Sequence, residues 1–335
     1  MPKPLTVAVV AGAALLTRRA LRRRIRVSPL WPMPALEEPV SGRPRSRALR
    51  LTVTARETVA DGVVQLRLEG RDLPRWEPGA HLDLVLPSGR VRQYSLCGDP
   101  ADTSSYTVAT RLVEDGRGGS REVHERVRVG AELEVRGPRN RFPLVTASSY
   151  VFVAGGIGIT PILPMLRALP DGVEWRLLYC GRERESMPFL AEVERLGGTV
   201  VEGVPDLDAL EVPEGAAVYC CGPEGLMAAV EARWPGVHLE RFAPRALSGG
   251  AFEVELRRSG RTLTVPADSS VLAAVREELP GTAYSCEQGF CGTCQQRVLE
   301  GEVEHRDELL TDAERGDSML ICVSRARSGR LVLDM

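Results

Sequence analysis

Cys286-Glu-Gln-Gly-Phe-Cys291-Gly-Thr-Cys294, with Cys322 further along, is the stretch that decides how this chain must be read. Three cysteines spaced C-x4-C-x2-C with a distant fourth make the plant-type ligand pattern for a two-iron, two-sulfur (2Fe-2S) cluster. So short a loop must curl until its sulfurs converge while backbone N–H groups point at them. Gly289 and Gly292 permit that close approach and the turns it needs. Zinc is the plainer alternative, but a four-cysteine zinc site reads as two C-x2-C knuckles, and only Cys291 and Cys294 form one. Disulfides fit less well still. Such a cluster passes one electron at a time and does no chemistry on a substrate, so the remaining sequence has to supply electrons or take them away.

The residues around the loop predict a small β-grasp ferredoxin domain over 247–335: strands Phe252–Leu256 and Thr262–Val265, a turn at Ser259-Gly260, and a helix Ser270–Glu278. Between the third and fourth cysteines runs an acidic segment, Glu300, Glu302, Glu304, Asp307, Glu308, Asp312, Glu314 and Asp317. It reads equally as a solvated surface or as a docking face that steers a basic partner to the cluster.

Upstream, over 146–246, strands alternate with helices: Tyr150–Ala154, a helix from Pro161, Glu174–Cys180, a helix near 188–196, Ala217–Cys221 and a helix from Glu224. This predicts an α/β domain with a parallel sheet, whose ligands bind beyond the carboxyl ends of the strands. At the first end stands Gly155-Gly-Ile-Gly158-Ile-Thr160-Pro161, where glycines let a pyrophosphate approach and proline opens a helix. Cys221-Gly222-Pro223 repeats the arrangement at a second end.

Over 51–145 the text is short alternating strands broken by turn clusters such as Glu77-Pro-Gly79 and Pro87-Ser-Gly89, which suits an antiparallel β-barrel. In Arg92-Gln-Tyr94-Ser95, alternation sends Arg92 and Tyr94 to one face and leaves Ser95 able to donate a hydrogen bond. Gly116-Arg-Gly118-Gly119-Ser120 runs into a helix-like segment. A glycine turn with a serine cap at a helix N-terminus can hold a phosphate group.

Residues 1–50 form a basic N-terminal extension, with eleven basic and two acidic residues; its net +9 against a chain total of −2 leaves the body at −11. Its apolar run Leu5–Leu16 is too short to span a bilayer, and its arginines follow that run where a secretory signal places charge in front. We read it as a frayed extension in preference to a weak membrane-surface contact. The 335-residue length allows two or three domains. Cysteines scattered without a small-domain framework point to free thiols and a cytoplasmic setting. No DNA-binding element or basic helix in the body suggests nucleic acid. His81 and His124 read as hydrogen-bonded structural histidines, Cys97 and Cys180 as small buried groups, and Met227 as core.

Taken in order, Arg92-Gln-Tyr-Ser-Leu, Gly118-Gly-Ser, Gly155-Gly-Ile-Gly-Ile-Thr-Pro, Cys221-Gly-Pro and the cysteine loop resemble the phthalate dioxygenase reductases and vanillate demethylase reductase subunits of the ferredoxin-NADP reductase superfamily. The resemblance covers 51–335 and implies an FMN-binding β-barrel, an NAD-binding α/β domain and a 2Fe-2S ferredoxin domain. By motif, Arg92 and Ser120 would hold the FMN phosphate with Gly118 and Gly119. Tyr94 would lie on the flavin ring, Ser95 would hydrogen-bond its N5, and Thr110, Arg111 and Thr160 would touch it. Gly156, Gly158, Cys221, Gly222 and Pro223 would bind the nicotinamide dinucleotide, with Cys221 packing near the nicotinamide. Cys286, Cys291, Cys294 and Cys322 would ligate the cluster.

The implied activity is that of an NAD(P)H-dependent flavin and iron-sulfur oxidoreductase, with NADH favoured. It would pass electrons through FMN and the cluster to a partner oxygenase of Rieske or haem-thiolate type, or to another one-electron acceptor protein. An electron carrier reduced by another enzyme and a redox sensor are the alternatives. Acid extraction of the purified protein is expected to release FMN, since one phosphate site and no adenine-binding insertion is visible. Stoichiometric FAD in the extract would contradict the assignment.

Overall fold

Leu51, Val53, Leu66, Leu68, Leu82 and Leu84 alternate with polar neighbours along three segments, and each pairs its apolar face into one core. The computed structural model describes residues 48–335 apart from 115, 117, 243–247 and 308. The expectations for 1–47, for Arg117 and for Glu308 therefore lie outside the described residues.

The first sheet contains β1 (Leu49–Ala60), β2 (Val63–Glu69), β3 (Ala80–Val85), β4 (Val91–Ser95), β5 (Ser105–Arg111) and β6 (Glu132–Asn140). All its ladders are antiparallel, in the order β4-β3-β6-β1-β2-β5. A bridge between Leu96 and Val108 joins the two ends of that order into a barrel. Helix α1 (Gly119–Arg126) packs Val123 onto the barrel core. Because β1 starts at Leu49, Leu49 and Arg50 pair with Val135 and Glu134.

The second sheet contains β7 (Ser149–Gly155), β8 (Glu174–Gly181), β9 (Thr199–Glu202), β10 (Ala217–Cys221) and β11 (His238–Glu240), all parallel in the order β11-β10-β7-β8-β9. Its crossover helices are α2 (Ile159–Ala168), α3 (Leu190–Leu196) and α4 (Glu224–Arg233). A 3-10 turn over Gly156–Gly158 precedes α2, so the helix starts two residues before Pro161 and the proline falls in its first turn. Proline is tolerated there because first-turn N–H groups have no intrahelical acceptor.

The third sheet is mixed, in the order β13-β12-β18-β14-β16, with β12 (Phe252–Leu256), β13 (Arg261–Val265), β14 (Gln295–Glu300), β16 (Ser318–Leu320) and β18 (Arg330–Leu333). The small pair β15 (Val303–Glu304) and β17 (Arg325–Ala326) stands beside it. Helix α5 (Val271–Glu278), capped by the Ser270 side chain accepting from the Ala273 N–H, buries Val271, Leu272 and Val275 against the sheet. The short α6 (Asp312–Arg315) opens with a capping box of Thr311 and Glu314. The three sheets belong to one compact unit, and no helix among the described residues is long and apolar enough to cross a membrane.

Arg325 is 1 % exposed; its guanidinium donates to the carbonyls of Ser269, Gly250 and Pro266 and lies over the Phe252 ring. It thereby closes the third domain where the chain enters it. Arg325→Met leaves those carbonyls unpaired, and each unsatisfied buried group costs ~1–3 kcal/mol. We expect the iron-sulfur visible signal to be lost at clearly lower urea than in wild type while flavin release is unmoved. Coincident transitions in both proteins would refute this role.

Candidate flavin and cluster site

The cysteine loop follows from its backbone. Glu287, Gly289 and Gly292 all have positive φ (57°, 81° and 75°), which coils the segment. A Cβ on Gly289 would meet Val323 at 2.7 Å, and one on Gly292 would meet Leu309 at 2.8 Å, so glycine is required for close approach as well as for the turn. Cys286, Cys294 and Cys322 are buried and Cys291 is half-buried. The Gln288 N–H donates to Cys286 Sγ at 3.3 Å, and Cys291 Sγ lies 3.3 Å from Thr293 Oγ1. Hydrogen bonds from Cys291 and Cys322 hold the Cys286 thiol down to about 2, whereas their bonds to Cys286 push Cys291 and Cys322 up. Cys286 beside both Cys291 and Cys322, Cys322 beside Cys294, a loop N–H aimed at sulfur and a glycine cradle fit a thiolate-held iron-sulfur cluster.

Beside this loop opens a cavity of about 610 Å³ whose walls include Tyr94, Ser95 and Glu240 as well as Cys286 and Phe290. Arg92 also lines it. The Arg92 side chain runs over the start of α1, with Nε 2.5 Å from where a Cβ on Gly119 would stand. The helix cap is Gly118, left-handed at φ 76°, with no side-chain cap. This corrects the serine-cap expectation: Ser120 sits inside the first turn, and its Oγ accepts from the Val113 N–H at 3.0 Å. The uncapped first-turn N–H groups, the glycines and Arg92 together fit an anion such as a flavin phosphate. Thr110 is 2 % exposed, and its side chain lies beside the Tyr94 phenol. Burial pushes the Tyr94 phenol up to about 12.

Ser95 Oγ donates to Glu240 Oε2 at 2.9 Å. Glu240 is the register partner of Cys221 across β10 and β11, so it stands between the two residues expected to serve the chemistry. Burial pushes the Glu240 carboxyl up to about 8, eased somewhat by the Ser95 hydrogen bond. Cys221 is fully buried, and burial drives its thiol well above the ordinary range, which suits packing rather than nucleophilic attack. Thr160 is 1 % exposed, donates to the Ile157 carbonyl at 2.9 Å and lies outside the cavity walls.

The two glycine turns meet. A Cβ on Gly158 would stand 2.1 Å from the Cys221 carbonyl oxygen, and one on Gly155 would stand 2.5 Å from Pro223. Arg111 comes within 3.3 Å of a Cβ position on Gly156, which brings β5 to the first turn. Of the arginines after β8, Arg184 is paired with Glu194, and Arg182 is exposed.

Other expectations divide. His124 Nε2 meets the Thr110 carbonyl at 3.0 Å, and Met227, Cys97 and Cys180 are core. His81 is buried with its Nε2 unpartnered, and its ring meets Phe290 edge-on at 5.7 Å in the wall of the cavity. Burial lowers its pKa to about 4. In the acidic segment, Asp307 is buried and accepts from the Leu309 and Leu310 N–H groups, while Glu300 pairs with Arg257 and Glu304 with Arg306. Glu240, Asp83, Ser285 and Phe242 are site residues that sequence reading missed. β11 is three residues long and carries no periodicity, and its only cue is its place one crossover after Cys221-Gly-Pro.

Residues 254–327 match the model of a 2Fe-2S iron-sulfur cluster binding domain. The chain is similar to phenoxybenzoate dioxygenase subunit beta of Ectopseudomonas oleovorans, 41 % identical over 299 residues that cover 82 % of this chain and 94 % of that protein. It is also similar to the solved structure of phthalate dioxygenase reductase, described as a modular structure for electron transfer from pyridine nucleotides to [2Fe-2S]: 36 % identity, TM-score 0.63, 86 % of this chain and 98 % of that one. An intact type IV self-sufficient cytochrome P450 monooxygenase matches at 41 % identity and TM-score 0.67, over 86 % of this chain and 41 % of that longer one.

The sign of the Glu240 effect is fixed. Its pKa lies above the ordinary value, so the folded protein holds a proton that the unfolded chain has released, and this contribution to stability fades as pH rises towards 8. We expect the pH profile of nicotinamide oxidation to carry a limb near 8, and Glu240→Gln to abolish that limb. Persistence of the limb in the variant assigns it to another group.

Proposed function

The chain belongs to the family of oxygenase reductase subunits that includes phthalate dioxygenase reductase, and from that footing we propose that it takes electrons from NAD(P)H and delivers them singly to a terminal oxygenase. The observation that carries the reading is the shared cavity, which has Tyr94, Ser95 and Glu240 in one part of its wall and Cys286 and Phe290 in another. FMN, when bound, supplies the conversion from a two-electron donor to one-electron delivery.

The chain's own residues do the rest. Arg92, Gly118, Gly119 and Ser120 anchor the phosphate, while Tyr94, Ser95, Thr110 and Arg111 orient the ring. Gly156, Gly158, Cys221, Gly222 and Pro223 shape the nicotinamide site, where backbone contacts leave no room for a side chain at Gly158 or Gly222, and Thr160 faces the flavin from the second domain. Glu240 and Ser95 hold a proton at the cavity wall, 2.9 Å apart. Cys286, Cys291, Cys294 and Cys322 hold the cluster. The domain divisions we propose are 51–145, 146–246 and 247–335, each built on one of the three sheets. NADH is the favoured donor, since Arg184 is already paired with Glu194 and is less available to a 2′-phosphate. The names of its relatives support either a Rieske-type dioxygenase or a haem-thiolate partner. Cysteine usage supports a cytoplasmic setting, and any contact of residues 1–47 with a membrane surface is no more than weak. Intact glycine cradles at both nucleotide strand ends speak against a mere carrier with vestigial nucleotide domains.

Cys291→Ser tests the order of transfer. A serine hydroxyl is a harder and far less acidic ligand than a thiolate, while the other two domains keep their own cores. With FMN content equal to wild type, reduction of ferricyanide by NADH is expected to survive and reduction of cytochrome c or of an oxygenase to collapse. Loss of both activities with flavin still bound refutes the flavin-then-cluster order, and loss of neither shows that the cluster is not on the path.

A further inference from the structure

β3 lies beside β4, and their register sets His81 opposite Ser95 and Asp83 opposite Gln93. Leu82 and Leu84 face the barrel core, so His81 and Asp83 point outward. Outward residues on a barrel ordinarily meet water, yet His81 is 4 % exposed and Asp83 is 1 % exposed. What covers them is the cysteine loop. Ser285, directly before Cys286, donates its hydroxyl to Asp83 Oδ2 at 2.6 Å. Arg139 on β6 donates to the same oxygen, and Gln93 Nε2 donates to Oδ1 at 3.0 Å. Phe290, directly before Cys291, meets the His81 ring, and its carbonyl accepts from Arg141 at 3.0 Å. The two residues that precede the first two cysteines are thus each tied to the barrel.

We propose that Asp83, with Ser285 and Arg139, is an inter-domain latch that holds the cluster loop in fixed position against the flavin-binding hairpin. These are positioning residues: Asp83 and Arg139 lie outside the cavity walls, Ser285 is part of them, and together they set how the loop presents Cys286 to the cavity that Tyr94 and Ser95 also line. A buried carboxylate with a guanidinium and two further donors is costly to leave unpaired, which makes the geometry stiff. Two domains that merely touched would not bury the Asp83 carboxylate to 1 % exposure beneath a hydroxyl from the other. The proposal rests on the electron-transfer reading above.

The test uses the full chain with Ser285→Ala, Ser285→Thr and Asp83→Asn. Amide hydrogen exchange over residues 285–290, measured with and without bound cofactors, reads the latch directly. Anaerobic stopped-flow reduction by NADH reads two phases, nicotinamide to flavin and flavin to cluster. In Ser285→Ala, exchange over that segment is expected to rise about tenfold, the size of effect that losing one hydrogen bond to a charged group gives. The second phase should slow by at least about tenfold, since small misplacements carry large rate costs, and by more than the first phase does. Ser285→Thr, which keeps the hydroxyl, should restore both readouts, whereas a purely steric role would not be rescued by a bulkier side chain. Unchanged exchange in Ser285→Ala overturns the proposal, as does raised exchange with an unaltered second phase; Ser285→Ala decides even if Asp83→Asn does not fold. A wild type that lacks a second phase would refute the electron-transfer reading instead, while the exchange arm would still decide whether the latch exists.

Discussion

A single antiparallel ladder, β3 against β4, has to satisfy three environments at once. Its alternation gives Leu82 and Leu84 to the barrel core, with Tyr94 opposite Leu82 and packed against that core, while the other face turns His81 and Asp83 to the cysteine loop and Ser95, opposite His81, to the cavity wall. Strand residues two apart share a face and cannot move independently. Any slip of register by one residue would move apolar side chains to the loop and polar ones to the core. The hairpin therefore fixes the relation between cavity and loop through backbone hydrogen bonds, before any cofactor contact is counted.

Two carboxylates near this site, Asp83 fully buried and Glu240 half-buried at the cavity wall, are treated differently. Asp83 receives a guanidinium, a hydroxyl and an amide, so its burial is matched by donors. Removing a single hydrogen-bond donor from such a charged group typically costs about 1.5–3 kcal/mol. Glu240 has a single hydroxyl donor, and burial pushes it up to about 8, so at neutral pH it is a proton holder rather than an anion. The first arrangement makes a stiff joint and the second a group able to exchange a proton. Each lies where the corresponding property is useful.

Much of this was legible from local text. The ligand spacing, the Gly155-Gly-Ile-Gly158 turn, the Cys221-Gly-Pro turn and the alternation around Tyr94 all depend on near neighbours, and steric limits on a Cβ leave few alternatives to glycine there. Ser120 was misplaced because a serine after two glycines is also compatible with a first-turn position, and the cap is chosen by backbone geometry at Gly118. Asp83, Ser285 and Glu240 were not legible, since their meaning comes from partners 202 and 145 residues away. His81 looked like an ordinary barrel histidine for the same reason.

The acidic segment shows how charge read along a chain differs from charge presented in space. Asp307 is buried under loop N–H groups, Glu300 and Glu304 are each paired with an arginine, and Glu314 is occupied in a capping box. Exposed pairs of this kind largely cancel one another's field beyond the Debye length of about 8 Å. Among the described residues, Glu302 and Asp312 are exposed acids of this segment with no arginine partner. Burial of Asp307 and the pairing of Glu300 and Glu304 therefore leave less unpaired negative charge on this stretch than its sequence spacing suggests.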